Sequence, residues 1–256
     1  MSPVPPPDSE FLYGLNPVFE TVLASRRDLR RAFLNEQSAD RGRIRTLADL
    51  LRERNVPVEW VDKGRLSQLA GTREHQGAVI ETGPFPYTPF ADLVGAQRMV
   101  LVDNLEDPHN VGAVMRSAEV FGFDAVLLPR RGCPGVLPSV VKASAGGSEH
   151  LRVAVNCSSN QYVKIALEEG YAVIALDGKG QVALEDAART CPEKLLLVVG
   201  GESKGVRQFI INAATAVVRI PQSGRINSLN ASVAAGIAIH AFGAALEQDR
   251  ETDTPS

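Results

Sequence analysis

Five short apolar runs in which hydrophobic residues are consecutive, not alternating, constrain this chain most. They are Met99–Asp103, Ala125–Pro129, Ala172–Leu176, Leu195–Val199 and Val217–Ile220. A strand that is apolar on both faces must be covered on both, the condition of a parallel sheet flanked by crossover helices. The intervals have room for helices, at about Val111–Phe121, Gln161–Glu169, Lys204–Asn212 and Ala231–Leu246. From Arg98 onward the sequence therefore predicts a mostly parallel-sheet α/β domain without internal repeats.

Upstream, from Phe11 to about Thr82, shorter strands alternate with polar-faced helices. The chain opens near Phe11–Leu15, and Asn16-Pro17 then reads as a cap and first-turn pair for a helix to about Ala24. A strand near Arg31–Leu34, a helix near Arg43–Arg54 and strands at Val58–Val61 and Gly77–Glu81 complete a small α/β module. Gly83-Pro84-Phe85-Pro86-Tyr87-Thr88-Pro89 cannot propagate a helix or a central strand, and marks a linker. The expected organisation is a disordered N-terminus at 1–10, a module at 11–82, a linker at 83–97, the larger domain at 98–246 and a disordered acidic tail at 247–256.

Composition narrows the function classes. The 256 residues are 44% hydrophobic and 22% charged, enough to bury substantial cores. No apolar run approaches the roughly 20 residues that span a bilayer, and Met1–Ser9 is proline-rich and unlike a leader. These features predict a cytoplasmic protein with no membrane partner. Cys133, Cys157 and Cys191 are far apart, and His75, His109, His150 and His240 are scattered, so neither a disulfide framework nor a metal site is expected. The net charge of −3 hides an asymmetry: Arg26 to Arg65 holds eleven Lys/Arg against seven Asp/Glu. That count suits a basic patch, and equally a solvated mixed-charge helix.

Three segments of the larger domain carry the chemistry. Met99–Asp103 runs into a polar loop and a helix with an apolar stripe at Val111, Val114, Met115 and Ala118. Asn110 is a plausible N-cap there. Arg116 lies off the stripe, either free to reach the crevice at the strand ends or simply solvent-exposed. Leu195–Val199 ends in Gly200-Gly201-Glu202-Ser203-Lys204-Gly205, glycines that let backbone approach a ligand, or a plain structural turn. Val217–Ile220 is followed by Pro221 to Asn230 and a small-residue helix. Ser228 and Asn230 at that helix start can cap it, or hold a charged ligand. The pattern is not G-x-G-x-x-G, which argues against a nicotinamide enzyme.

Together the stretches LVDNLEDPHNVGAVMRSAEVFGFDAVLLP, LLLVVGGESKGV and RIPQSGRINSLNASVAAGIAIHAF resemble, in order and spacing, the three motifs of the SpoU/TrmH RNA ribose methyltransferases. FLYGLNPVF and EHQGAVIE resemble the ends of the ribosomal-protein-like RNA-binding module of the ribosomal-RNA subgroup.

The resemblance implies a C-terminal trefoil knot, which ordinary topology rules disfavour, and a homodimer. It also implies S-adenosylmethionine as cofactor, held by Gly200, Gly201, Ile220 and Leu229, and a reaction site of Asn110, Arg116, Glu202, Ser228 and Asn230. Arg26, Arg27, Arg30, Arg31, Arg41 and Arg43 would then contact the RNA backbone. The implied activity is methylation of a ribose 2′-hydroxyl, first of a guanosine in large-subunit ribosomal RNA. An adenosine-directed or tRNA enzyme, or a non-catalytic RNA-binding assembly factor, is the alternative. The family proposal makes Arg116 the proton acceptor. Arginine is effectively never neutral, so a phosphate clamp that stabilises alkoxide charge suits it better.

Overall fold

The computed structural model describes residues 8–39, 42–190, 192–201, 205–226 and 228–252. The chain begins with β1 (Glu10–Tyr13), α1 (Leu15–Ala24), β2 (Leu29–Asn35), α2 (Gly42–Glu53), β3 (Val58–Val61), α3 (Lys63–Ala70) and β4 (Ala78–Thr82). It continues with β5 (Arg98–Asp103), α4 (Pro108–Val120), β6 (Ala125–Leu127), α5 (Pro138–Ala143), β7 (Arg152–Ala154), α6 (Ser159–Glu168) and β8 (Ala172–Leu176). The last elements are β9 (Val182–Ala183), α7 (Leu184–Arg189), β10 (Leu195–Gly200), α8 (Gln208–Ala213), β11 (Ala216–Arg219) and α9 (Ala231–Thr252). Two compact units result. One joins Val136–His150 to the described part of Met1–Pro86, and the other joins Tyr87–Gly135 to the described part of Leu151–Ser256.

The first unit is a four-stranded sheet in the order β1-β4-β2-β3, antiparallel except for the β2–β3 pair. Ile44, Leu47, Ala48 and Leu51 form the buried stripe of α2, and Leu12, Phe33, Leu34 and Ile80 fill the centre. Helix α1 starts at Leu15, whose N–H donates to Gln76 Oε1, so Asn16 is inside the helix and not its cap. Pro17 still sits in the first turn, where a missing N–H costs nothing. Glu10, expected in the disordered terminus, is the first residue of β1.

Residues 136–150 lie within the stretch read as the larger domain, yet they group with this first unit. Val140 and Val141 of α5 are buried in it, and Glu149 brings a carboxylate into its interior. Arg27 forks onto Glu149, with Nε to Oε2 at 2.8 Å and Nη2 to Oε1 at 2.9 Å, and its Nη1 reaches Glu10 at 2.5 Å. Burial disfavours the guanidinium charge, but the two carboxylates outweigh it and raise the Arg27 pKa. With no exposed side-chain surface, Arg27 cannot serve as an RNA contact. The sequence expectation for this residue is corrected: a buried pair needs each partner to satisfy the other.

The second unit is a seven-stranded sheet in the order β7-β6-β5-β10-β8-β11-β9. All its strand pairs are parallel. Every residue of β5 is buried, as is β10 from Leu195 to Val199, which is why consecutive apolar residues marked them. Asp107, not Asn110, caps α4, accepting from the His109 N–H with Pro108 in the first turn. Helix α8 starts at Gln208, after Gly205 (φ +58°) and an extended Arg207, so the expected start at Lys204 is too early. Lys204 itself is outside the described residues. Helix α9 runs on to Thr252, into the segment expected to be a disordered tail. Glu, Gln and Arg in that segment are good helix formers. Among the described residues no helix is long and apolar enough to cross a membrane, and no group of His, Cys, Asp and Glu could hold a metal ion.

Candidate active site

Strands β10, β8 and β11 are neighbours, so the loops leaving their carboxyl ends converge on one edge of the second unit, where ligands of parallel sheets bind. A cavity of about 210 Å³ lies there. Leu176 ends β8 and Asp177 follows it, Gly200 ends β10 with Gly201 and Gly205 after it, Ile220 follows β11, and Ser228 and Leu229 precede α9. The four residues expected to hold the cofactor, Gly200, Gly201, Ile220 and Leu229, all line it. Asp177 was missed, because a lone carboxylate after a strand has no distinguishing pattern.

The glycines are required by close backbone packing. A Cβ on Gly201 would lie 1.9 Å from the Asn104 carbonyl oxygen, and one on Gly200 2.3 Å from the Gly205 carbonyl carbon. Gly205 N–H donates to the Gly201 carbonyl at 2.8 Å, and Gly201 N–H to the Asp103 carbonyl at 2.9 Å. The loop after β10 is thereby fastened to the end of β5.

A polar cluster reinforces this junction. Asp103 is fully buried and accepts from Ser159 Oγ at 2.7 Å and from the Arg207 N–H at 3.0 Å. Arg207 Nη2 donates to Asn104 Oδ1 at 2.9 Å, and Asn104 Nδ2 faces the Gly205 carbonyl at 3.4 Å. Asn104 itself is left-handed (φ +53°). Cys133 sits close enough to feel the Asp103 charge: burial and then Asp103 push its thiol up to about 12. None of these residues stood out in the sequence.

The reaction-site expectations divide. Asn230 Oδ1 accepts from the N–H groups of Ser232 and Val233, capping α9. Its Nδ2 donates to Asn110 Oδ1 at 3.2 Å, which also accepts from Ser232 Oγ at 2.9 Å. Asn110 and Asn230 are thus brought together from α4 and α9, with Ser232 an unforeseen third member. Ser228 lines the cavity. Arg116 is exposed on α4 and makes no hydrogen bond or ion pair among the described residues. Glu202 lies outside the described residues.

The arginines expected to meet RNA are spread over the first unit. Half-buried Arg26 donates to the Glu149 carbonyl. Arg30 pairs with Asp28 at 2.9 Å, and Arg31 with Glu81 and Glu59 at 3.3 and 3.7 Å. Arg43 lies over the Phe19 ring, and Arg41 is outside the described residues.

The small-residue helix has an explanation within the chain. A Cβ on Gly243 would come within 2.9 Å of Phe121, and one on Gly236 within 3.4 Å of Ser117 Oγ, so α9 needs small residues to pack on α4.

Comparison with known proteins bears on this geometry. Residues 97–240 match the profile of the SpoU rRNA Methylase family, and residues 11–88 that of the RNA 2′-O ribose methyltransferase substrate-binding family. YacO of Bacillus subtilis, named for the TrmH family of tRNA/rRNA methyltransferases, is 30% identical over 238 residues, covering 90% of this chain and 94% of that one. The SpoU methyltransferase AviRb of Streptomyces viridochromogenes, solved with AdoMet, superposes with a TM-score of 0.76 at 21% identity, over 95% of this chain and 91% of that one. An AdoMet-bound rRNA methyltransferase from Sinorhizobium meliloti gives 0.75 at 21%, over 97% and 89%.

Proposed function

We propose, because this chain belongs to the SpoU rRNA methylase family, that it methylates the ribose 2′-hydroxyl of a guanosine in large-subunit ribosomal RNA. The observation that carries this reading is the cavity at the ends of β8, β10 and β11, beside the joined Asn110, Asn230 and Ser232. Its donor set fits S-adenosylmethionine. Leu176, Val199, Ile220 and Leu229 give aliphatic walls for an adenine, glycine backbone at 200, 201 and 205 gives hydrogen-bonding edges, and Asp177 gives a carboxylate for a ribose or amine. The N-terminal end of α9 adds favourable potential for an anionic group. When bound, that cofactor supplies an electrophilic methyl group.

The chain's own residues position the nucleophile. Asn110, Asn230 and Ser228 border the reacting hydroxyl, with Glu202 assigned to the same border. Arg116 clamps the phosphate of the target nucleotide and stabilises negative charge growing on the 2′-oxygen. The fastening of the loop after β10 to Asn104 favours a threaded, knotted cofactor loop. Exposed Val120, Val233 and Ile237 on the paired helices α4 and α9 favour a homodimer through that face. Sedimentation of a Val233→Glu, Ile237→Glu variant as a monomer, against a dimeric parent, checks that pairing.

The reaction is tested by incubating the protein with labelled S-adenosylmethionine and separated ribosomal and transfer RNAs, then locating the methylated ribose by mass spectrometry. Label on a guanosine ribose of large-subunit RNA is expected. Label on another nucleotide or on tRNA overturns the specificity, and no label in any RNA overturns the activity.

A further inference from the structure

The first unit holds a cavity of about 500 Å³ lined from the end of β2, from α3 and from the turn before β4. Asn35, Ser38, Lys63, Arg73, His75 and Gly77 contribute to its lining, and its charged members, Lys63 and Arg73, are both cationic. They are exposed, whereas Asn35 and His75 are buried, with 3% and 6% of their surface accessible. The cavity therefore combines exposed positive charge with buried polar groups.

His75 is held in one state. Its Nδ1 accepts from the Gly77 N–H at 3.1 Å, so the neutral ring carries its proton on Nε2 and is a donor there. Burial, and then the charges of Lys63 and Lys142, lower its pKa. The turn around it is rigid. Gln76 and Gly77 are both left-handed (φ +52° and +86°), the Ala78 N–H closes on the His75 carbonyl, and the Asn35 N–H donates to the Gly77 carbonyl. Helix α3 begins at Lys63 under the N-cap Asp62, whose carboxylate accepts the Arg65 N–H at 2.7 Å, so the positive charge of the cavity comes from Lys63 and Arg73 and not from the helix end.

We propose that this cavity takes one unstacked nucleotide of the RNA substrate. Lys63 and Arg73 hold its phosphate, and His75 Nε2–H donates to an oxygen of its base or ribose. A concave site with fixed donors fits a splayed-out nucleotide, which offers its edge, better than the regular backbone of a duplex. The arginines at 26, 27, 30 and 31, by contrast, are engaged with protein partners. This inference rests on the reading of the chain as an RNA methyltransferase.

The test uses the full chain, bulk ribosomal and transfer RNA, and filter retention over a range of salt. In a Lys63→Ala, Arg73→Ala variant the slope of log affinity against log salt should fall by about one to two, with roughly tenfold weaker binding at low salt. A charge-matched Lys164→Ala, Arg189→Ala variant on the second unit should keep the parental slope, and calorimetric binding of S-adenosylmethionine should be the same in all three. His75→Phe should raise KM for RNA and leave kcat unchanged, and RNA should shift the His75 imidazole resonances of the parent protein. A Lys63/Arg73 variant with parental affinity and slope overturns the cavity proposal alone. A parent protein that neither retains nor methylates RNA overturns the methyltransferase reading and this inference with it.

Discussion

Arg116 projects from α4 without a hydrogen-bond or ion-pair partner among the described residues, so its substitution breaks no such bond among them. Arg116→Ala should reduce methyl transfer at least about a hundredfold, the order of losing one aligned charge-stabilising donor. Cofactor affinity measured by calorimetry should stay at the parental value. The pH–rate profile of Arg116→Lys separates its roles: a clamp gives no new ionisation at lower pH, and a proton acceptor gives one. Cys133 offers a second test at this scale. With its pKa pushed up to about 12, its thiolate fraction at pH 8 is about a thousandth of an ordinary cysteine's. Iodoacetamide should therefore label it far more slowly than a free peptide thiol in peptide mapping, and equal rates would contradict the burial and the Asp103 field assigned to it. Residues of this kind are hard to read from sequence. Gly200 and Gly201 stood out because glycines after a strand are a recognisable signal, whereas Asp103, Ser159 and Arg207 meet only after the chain has folded.

Among the elements, the plainest strands to read are those buried on both faces, although the half-exposed β3 was also read at its bounds. β5 and β10 are continuous apolar runs because each lies between two strands and two layers of helices, and sequence alone implies that environment. β7 and β9 have three and two residues, and α3, α5 and α7 have eight, six and six, too few to establish a period. Helix starts were displaced where a neighbouring residue caps better, as Asp107 does for α4. The loop from β10 to α8 carries the glycines proposed to hold the cofactor. Gly201→Ala would force a methyl group into the Asn104 carbonyl, and calorimetry should detect no cofactor binding. Arg207→Ala keeps the backbone N–H bond to Asp103 but removes the Nη1–Oδ1 ion pair at 3.4 Å from that buried carboxylate, a loss of about 1–3 kcal/mol. Cofactor affinity should drop roughly tenfold or more, with Arg207→Lys in between; an unchanged affinity would disconnect this cluster from the site.

At the scale of the whole molecule, the change from one compact unit to the other falls between Pro86 and Tyr87, within a proline-rich stretch, but the membership of residues 136–150 was not legible. A buried pair such as Arg27–Glu149 joins positions 122 residues apart and leaves no periodic trace. Glu149→Ala strands a guanidinium with no exposed surface, a loss of about 3–5 kcal/mol. Urea unfolding should show the first unit melting earlier, with RNA binding lost and cofactor binding kept; parental stability would mean that Glu10 alone suffices for Arg27. The same arrangement makes simple truncation a poor dissection tool, since deleting the residues before Pro84 also strips the cover from Val140 and Val141.

The two-segment construction of that first unit also sets a timetable. During synthesis, Pro86 leaves the ribosome before Val136–His150 has been made. At about 5–20 residues per second the wait is several seconds. Throughout it Arg27 lacks the Glu149 carboxylate and the nascent module lacks α5, so the RNA-binding half is completed only after the whole of the first motif of the methyltransferase half has emerged.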